Sequence, residues 1–173
     1  MALFQDLLVE QLPKLRVYAR FLARDRALAD DLVQETIVQA LTHREQFTPG
    51  TNMKAWLSTI LRNRFLGELR AQARLATYIA MPKLERHIVD QEVRLEMRDL
   101  ERAFRSLPKA QSDVLWLVGA GGFSYHDAAK IVGCPEGTVK SRANRARIEL
   151  DRRLTSETPN TRPTRVQAAM HGN

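Results

Sequence analysis

The chain has few of the side chains that stabilise a disulfide-linked or zinc-bound fold. Among its 173 residues are one cysteine, Cys134, and four histidines. A single cysteine excludes an intramolecular disulfide, and the scattered histidines do not have the spacing of zinc ligands. These absences are typical of a protein that works in a reducing compartment, and the sequence predicts no metal and no cofactor.

Long apolar runs are also absent. No stretch approaches the roughly 18 to 20 apolar residues that a membrane-spanning helix needs. The first ten residues lack the basic region and the long apolar core of a signal peptide. We therefore expect a cytoplasmic protein with no membrane span.

Motifs for catalysis are missing as well. The chain contains no Gly-rich lysine motif for binding phosphate, no nucleophile paired with a base and no cluster of metal ligands. Asp31 and Glu35 are one helical turn apart, but two carboxylates without a third ligand make a weak metal site. The sequence thus predicts a protein that is not an enzyme, and a magnesium-dependent nuclease that uses Asp30, Asp31 and Glu35 is a disfavoured alternative.

What the chain has in excess is positive charge. Lysine and arginine together number 27 against 20 acidic residues, which gives a formal net charge of +7. This excess favours an anionic partner, and nucleic acid is the first candidate. A basic surface that serves solubility alone is the alternative, so the positions of the charges have to decide between the two.

The hydrophobic periodicity is helical, and no segment has the alternation of a strand. We predict an all-α fold of two small helical domains, residues 1–73 and 93–154, joined by a flexible linker over residues 74–92. The linker assignment rests on Pro82 and on the loss of amphipathic pattern, and it leads us to expect that the two domains move independently. Residues 155–173 are expected to be disordered.

Three helical segments are expected in the N-terminal domain. The first covers residues 6–24, where Pro13 argues for a break or an internal start, and the third begins near Met53 after a cap at Thr51 or Asn52. The second covers residues 27–42 and has two faces. Its apolar face comprises Ala29, Leu32, Val33, Ile37 and Ala40, and its polar, acidic face includes Asp31, Gln34 and Glu35.

The third helix carries basic residues interleaved with aromatic ones. Its charges are Lys54, Arg62, Arg64, Arg70 and Arg74, and its rings are Trp56 and Phe65. With Asn63, this pattern suits single-stranded DNA, whose bases stack on aromatic rings. Trp56 also lies on the same stripe as Ile60, so packing in the core is the alternative role for its ring.

Residues 124–154 reproduce the plan of a helix-turn-helix. Ser124 and Asp127 have the spacing of a helix-capping signal, the turn is Gly133-Cys134-Pro135, and a long helix follows from about Glu136. Its basic residues suit phosphates and guanine edges, and they are Lys140, Arg142, Arg145, Arg147, Arg152 and Arg153. A solvated basic helix that closes a bundle is the alternative.

Several motifs, taken in order, resemble the extracytoplasmic-function (ECF) sigma factors of bacterial RNA polymerase. They are residues 30–36 (DDLVQET), 55–57 (AWL), 60–63 (ILRN), 123–125 (FSY), 137–142 (GTVKSR) and 145–147 (RAR). The resemblance covers about residues 3–154. Residues 49–52 and 117–120 further resemble the general stress response subgroup of alphaproteobacteria.

The resemblance implies a factor that directs promoter-specific transcription initiation, in a stress response. Asp31, Gln34 and Glu35 would dock on the clamp helices of the β′ subunit of core RNA polymerase. Promoter DNA would be the second partner, and a small helical anti-sigma factor would inhibit the protein. The best alternative is a stand-alone helix-turn-helix transcriptional regulator, which would bind palindromic duplex DNA unaided.

The resemblance also divides promoter recognition between the two domains. The melted strand of the minus-ten element would contact Phe47, Thr51, Asn52, Trp56, Arg62 and Asn63. The major groove of the upstream minus-thirty-five element would contact Thr138, Lys140, Ser141, Arg142, Asn144 and Arg145. The sequence departs from the family at two places. Asn144 leaves the base preference at that position open, and Pro135-Glu136 puts an acid near the start of the DNA-facing helix.

Overall fold

The computed structural model of the chain describes residues 2–79 and 95–157. Every regular element within these two ranges is helical, and neither range contains a strand. The prediction of an all-α protein with two helical domains is confirmed.

The N-terminal domain consists of α1 (Ala2–Ala23), α2 (Arg26–Thr42), a short 3-10 turn (Arg44–Gln46) and α3 (Met53–Ile79). The three α-helices pack against one another pairwise. Pro13 lies inside α1 without ending it, so the expected break does not occur. The proline is exposed, and water can solvate the backbone carbonyl that it leaves without a donor.

Side-chain caps fix where α2 and α3 begin. Asp25 accepts a hydrogen bond from the backbone N–H of Leu28 at 2.8 Å, and Asn52 accepts one from Ala55 at 3.2 Å. Of the five residues predicted for the apolar face of α2, four are buried and Ile37 is half-buried. Thr36 is also buried, and its hydroxyl is satisfied there by donating to the Leu32 carbonyl at 2.7 Å.

The C-terminal domain consists of α4 (Leu95–Arg105), α5 (Lys109–Val118), α6 (Tyr125–Val132) and α7 (Glu136–Glu157). The helix-turn-helix is formed by α6 and α7, as predicted. Ser124 caps α6 by accepting a hydrogen bond from the Asp127 N–H at 3.0 Å. Gly133 ends α6 in the left-handed conformation, with φ of 71°, which a residue without a Cβ adopts at little cost.

Two predicted segments are only partly covered by the described residues. The helix α3 continues to Ile79, so the first part of the predicted linker, residues 74–79, is helical. The remainder of that linker, residues 80–92, lies outside the described ranges. The helix α7 likewise continues to Glu157, and residues 158–173 of the predicted disordered tail lie outside the described ranges.

The two domains pack against each other. The buried residues of α1 to α3 are continuous with Val114 and Leu117 of α5, Phe123, and Ala128 of α6. A smaller separate cluster holds α4 to α5 and α7, and it contains Ala103, Leu107, Leu115, Ala146 and Leu150. In this structure the side chains that join the domains lie on the helices and not on the linker. Independent movement of the free domains stays a prediction.

Candidate nucleic-acid interface

The helix α7 has one buried face and one exposed basic face. Its buried residues are Val139, Ala143, Ala146 and Leu150. Four of the six residues predicted to read the upstream element lie on the exposed side, namely Lys140, Ser141, Asn144 and Arg145. These positions follow the helical repeat, so the four side chains form one continuous surface.

The other two predicted residues, Thr138 and Arg142, are half-buried. The Thr138 carbonyl accepts a hydrogen bond from the Ser141 hydroxyl at 3.0 Å, and Nη1 of Arg142 lies 3.7 Å from the Sγ of Cys134. Arg145 folds back on Ser141, donating from Nη2 to its Oγ at 3.3 Å. The hydrogen bonds of these two arginines inside the domain are therefore long, and DNA contacts could replace them.

The acidic residue at the start of α7 is neutralised within the helix. Lys140 Nζ lies 2.8 Å from Glu136 Oε1, and this contact lowers the pKa of Glu136 and raises the pKa of Lys140. His126 lies on the other side of the carboxylate, at 3.8 Å. Glu136 thus opposes a DNA phosphate less than its formal charge suggests, while Lys140 is partly engaged.

The other three basic residues predicted on α7 also have partners within the protein. Arg152 and Arg153 both bind Glu149, and their hydrogen bonds lower the pKa of that carboxyl to about 2. Arg147 donates to the Tyr125 hydroxyl at 3.2 Å. Arg142 and Arg145, in the first half of α7, contact Cys134 and Ser141 and not a carboxylate, so their positive charge is the part of this helix that is most available to DNA.

The residues predicted to hold the melted strand are divided among three environments. Phe47 is buried, at 8% exposure, with its ring centroid 5.4 Å from that of Trp56 and 5.9 Å from that of Phe4. This position makes Phe47 a support for the loop that follows it. The Thr51 side chain is exposed and donates to the Thr48 carbonyl at 2.7 Å, which stiffens the same loop.

Trp56 and Asn63 face a second environment. They line a cavity of about 340 Å³ together with Gln39, His43, Gln46, Ile60 and Arg64. The Trp56 ring is half-buried and Asn63 is exposed. A cavity lined by an aromatic ring and several amides offers both stacking and hydrogen bonds to an unpaired base. The ring of Trp56 packs against Phe4 and Phe47, and its binding role stays a prediction.

Asn52 and Arg62 face a third environment, the C-terminal domain. The Asn52 amide donates to Asp127 Oδ2 at 2.9 Å, and Arg62 Nη2 lies 3.7 Å from Asp113 Oδ2. Two side chains predicted for promoter DNA therefore contact acidic residues of their own chain. Asp113 and Asp127 were missed as functional candidates because no local pattern links them to residues so distant in sequence.

The acidic face of α2 is only partly free. Asp31 and Gln34 are exposed, whereas Glu35 forms an ion pair with Arg64 of α3. The Arg64 Nε atom donates to Glu35 Oε2 at 2.8 Å. This pairing was also missed, because the two residues had been assigned to different surfaces. Within residues 2–79 and 95–157, no group of three or more His, Cys, Asp or Glu side chains could hold a metal ion.

None of the described helices is both long enough and apolar enough to cross a membrane. Two protein families match the chain, and they match one domain each. Sigma-70 region 2 matches residues 8–75, and Sigma-70 region 4 matches residues 97–150.

Curated and solved proteins show the same relationship. The ECF RNA polymerase sigma factor EcfG of Rhodopseudomonas palustris is 43% identical over 148 residues, covering 84% of this chain and 82% of that protein. The sigma factor RpoE of Bartonella quintana, solved with the anti-sigma factor NepR, superposes with a TM-score of 0.76 at 37% identity, covering 91% of this chain and 100% of that one. CnrH, solved with the cytosolic domain of CnrY, gives a TM-score of 0.65 at 25% identity, with coverage of 90% and 89%.

This chain belongs to the ECF sigma factors. It is therefore an RNA polymerase sigma factor, and the alternative of a stand-alone helix-turn-helix regulator is not favoured. The two family matches fall on the two helical domains, so region 2 of this sigma factor contains α1 to α3 and region 4 contains α4 to α7.

Proposed function

We propose that this sigma factor directs core RNA polymerase to the promoters of a stress-response regulon through three separate surfaces. The exposed side of α2 docks on the β′ clamp helices, the loop 47–52 with α3 captures the melted strand, and the first half of α7 reads the upstream element. The chain breaks no bond itself, since polymerase supplies the chemistry, and it acts in the cytoplasm with polymerase.

The observation that carries this proposal is the separation of charge between two exposed helix faces. Asp31 and Gln34 of α2 present an acidic and polar surface, and Lys140 and Arg145 of α7 present a basic one. The first suits a basic protein partner, and the second suits a phosphate backbone and guanine edges. A chain that binds both polymerase and DNA needs both surfaces.

A small anti-sigma factor is the third proposed partner. Support comes from the similarity to the Bartonella quintana sigma factor solved with NepR and to CnrH solved with CnrY. The similarity to EcfG, together with the resemblance of residues 49–52 and 117–120 to the general stress response subgroup, supports the assignment to a stress response.

The docking surface is tested by reversing one charge on α2. Asp31→Lys puts like charge against a basic partner, which costs several kcal/mol and abolishes co-elution with core polymerase at ordinary concentrations. Asp31 is the cleaner position to change, because a reversal at Glu35 also breaks the ion pair with Arg64.

The matched control is Glu10→Lys, which reverses an exposed acid on α1. Both variants should keep the wild-type circular dichroism spectrum and melting temperature, since neither residue is buried. If folded Asp31→Lys protein binds core polymerase as tightly as the wild type, α2 is not the docking surface.

A further inference from the structure

An ion pair lies at the start of α7, the helix that follows the turn of the helix-turn-helix. Lys140 Nζ is 2.8 Å from Glu136 Oε1, and the two residues are one helical turn apart. The Glu136 side chain is 41% exposed and the Lys140 side chain is 58% exposed. Both charged groups are therefore open to a ligand that approaches the N-terminal end of α7.

Two residues of α6 help to orient this ion pair. His126 Nδ1 lies 3.8 Å from Oε2 of Glu136, and the Lys140 ammonium lies 5.8 Å from the centroid of the Tyr125 ring. Both neighbours belong to the first turn of α6, so the contacts of the pair span the two helices of the helix-turn-helix. The surface of the motif consequently presents an acceptor, the carboxylate, directly beside a donor, the ammonium.

The two groups have hydrogen-bonding capacity beyond their mutual contact. A carboxylate accepts several hydrogen bonds, and an ammonium donates several. The contact between them uses one donor of Lys140 and one acceptor site of Glu136. Each group can therefore form further hydrogen bonds to a molecule outside the domain while the ion pair stays in place.

A base pair offers the matching donor and acceptor on its major-groove edge. Cytosine presents its N4 amino group there, and guanine presents O6 with N7 beside it. The N4 and O6 atoms are hydrogen-bonded to each other within the base pair, at the usual distance of about 2.9 Å. The 2.8 Å between Lys140 Nζ and Glu136 Oε1 matches that separation. The carboxylate can thus accept from N4 while the ammonium donates to O6.

We propose that the Glu136–Lys140 ion pair reads one C·G base pair of the upstream element as a unit, with cytosine under Glu136 and guanine under Lys140. This inference rests on the proposed function, because it requires that α7 lies in the major groove. The N-terminal residues of a recognition helix are the ones that reach base edges, and the pair occupies the first two turns of α7. Glu136 is thus a specificity-determining residue.

The other base pairs suit this arrangement of charges less well. An A·T pair also offers a donor and an acceptor, but it puts the N7 acceptor of adenine near the Glu136 carboxylate and the methyl group of thymine near the Lys140 ammonium. The reversed pairs G·C and T·A put their acceptors under the carboxylate. The expected order of preference is therefore C·G first, A·T second, and G·C and T·A last.

The test measures the base preference of holoenzyme, assembled from core RNA polymerase and the full chain. Duplexes with each of the four base pairs at every position of the upstream element compete for binding, and sequencing of the bound fraction gives the preference. Glu136→Gln removes the charge and keeps the size of the side chain. It should lower the discrimination of C·G from G·C at one position by about fivefold or more, which corresponds to the loss of one good base contact.

An exchange of the two charges gives a sharper result. The double variant Glu136→Lys with Lys140→Glu keeps an ion pair and reverses its direction, so it should prefer G·C over C·G at the same position. Its matched control is Glu101→Arg with Arg105→Glu, the equivalent exchange in an ion pair of α4, and this control should keep the wild-type preference. Circular dichroism should show that both double variants are folded, because none of the four side chains is buried.

Two results would overturn the inference. In one, holoenzyme with Glu136→Gln keeps the full wild-type preference at every position. In the other, the exchange of charges weakens binding to all sequences equally and reverses no preference, which would assign the pair to phosphate contacts. Failure of the proposed function is a different result, since holoenzyme with Arg145→Ala would then also bind matched and mismatched upstream elements as the wild type does.

Discussion

Asp113 of α5 places its carboxylate 3.7 Å from the Arg62 guanidinium of α3, and only 4% and 15% of the two side chains are exposed. Lys109 Nζ approaches the other carboxylate oxygen at 2.9 Å. Asp113 therefore pairs with one cation of each domain, Arg62 of region 2 and Lys109 of region 4. Because a buried charge without its partner is costly, Asp113 should contribute strongly to the free energy of unfolding.

Removing that acid should destabilise the protein. Asp113→Ala leaves the Arg62 guanidinium largely buried and unpaired, and we expect a loss of about 3 kcal/mol in the free energy of unfolding measured with urea. The double variant Arg62→Met with Asp113→Leu should recover most of that loss, since it removes both charges and fills the space. A loss below about 0.5 kcal/mol in the single variant would show that the pair does not hold the domains together.

Tyr18 should make the stability fall at alkaline pH. Burial raises the pKa of Tyr18 above its ordinary value, the Asp113 carboxylate raises it further, and the Arg62 guanidinium opposes the shift. Because the folded-state pKa is the higher one, the contribution to stability is fully present below the unfolded pKa of about 10 and is lost as the pH rises above it.

The measurement for Tyr18 is the free energy of unfolding as a function of pH. Tyr18→Phe should lose less stability between pH 9 and pH 11, values that bracket the tyrosine pKa of about 10, while its aromatic stack with Trp116 remains. Identical pH profiles for wild type and variant would contradict a buried neutral hydroxyl at this position. At neutral pH we expect Tyr18→Phe to match the wild type or exceed it slightly, since the hydroxyl has no hydrogen-bond partner among the described residues.

Replacing two arginines of α7 by alanine should affect DNA binding differently. Arg145 is exposed, and Arg145→Ala should cost about 1 to 3 kcal/mol at the upstream element if it contacts a base, or reduce the salt dependence of binding if it contacts a phosphate. The control is Arg152→Ala. Arg152 lies two turns further along α7, where it binds Glu149. Holoenzyme binding to matched and mismatched upstream elements, measured over a range of salt concentrations, separates these outcomes. Equal losses in both variants would remove Arg145 from the DNA surface.

The sequence was sufficient to predict the elements that depend on local chemistry. The helical repeat predicts α2, Ser124 and Gly133 delimit α6, and Asn52 is one of the two residues expected to cap α3. Such signals act within a few residues of each other, so they can be read without knowing the tertiary structure. The helical continuity at Pro13 was not predictable in this way, because it depends on the proline facing water.

Contacts between distant segments were not predictable. Glu35 and Arg64 each looked like a free surface charge, and their pairing depends on how α2 crosses α3. Asp113 and Trp116 belong to α5 but precede its recognised motif, which begins at residue 117, and their contacts depend on docking against α1 and α3. The composition of the linker led to the prediction that the domains move independently, and it carries no information about the contacts that side chains of the helices make between the domains.

Run-off transcription tests the central claim most directly. Core RNA polymerase, with and without this sigma factor, is given a library of genomic promoter fragments from the source organism. The account predicts transcripts with discrete start sites only when both proteins are present, and predicts that Asp31→Lys abolishes them while Glu10→Lys does not. Polymerase that initiates no better with the chain than without it, together with unaided binding of the chain to palindromic duplex DNA, would contradict the account.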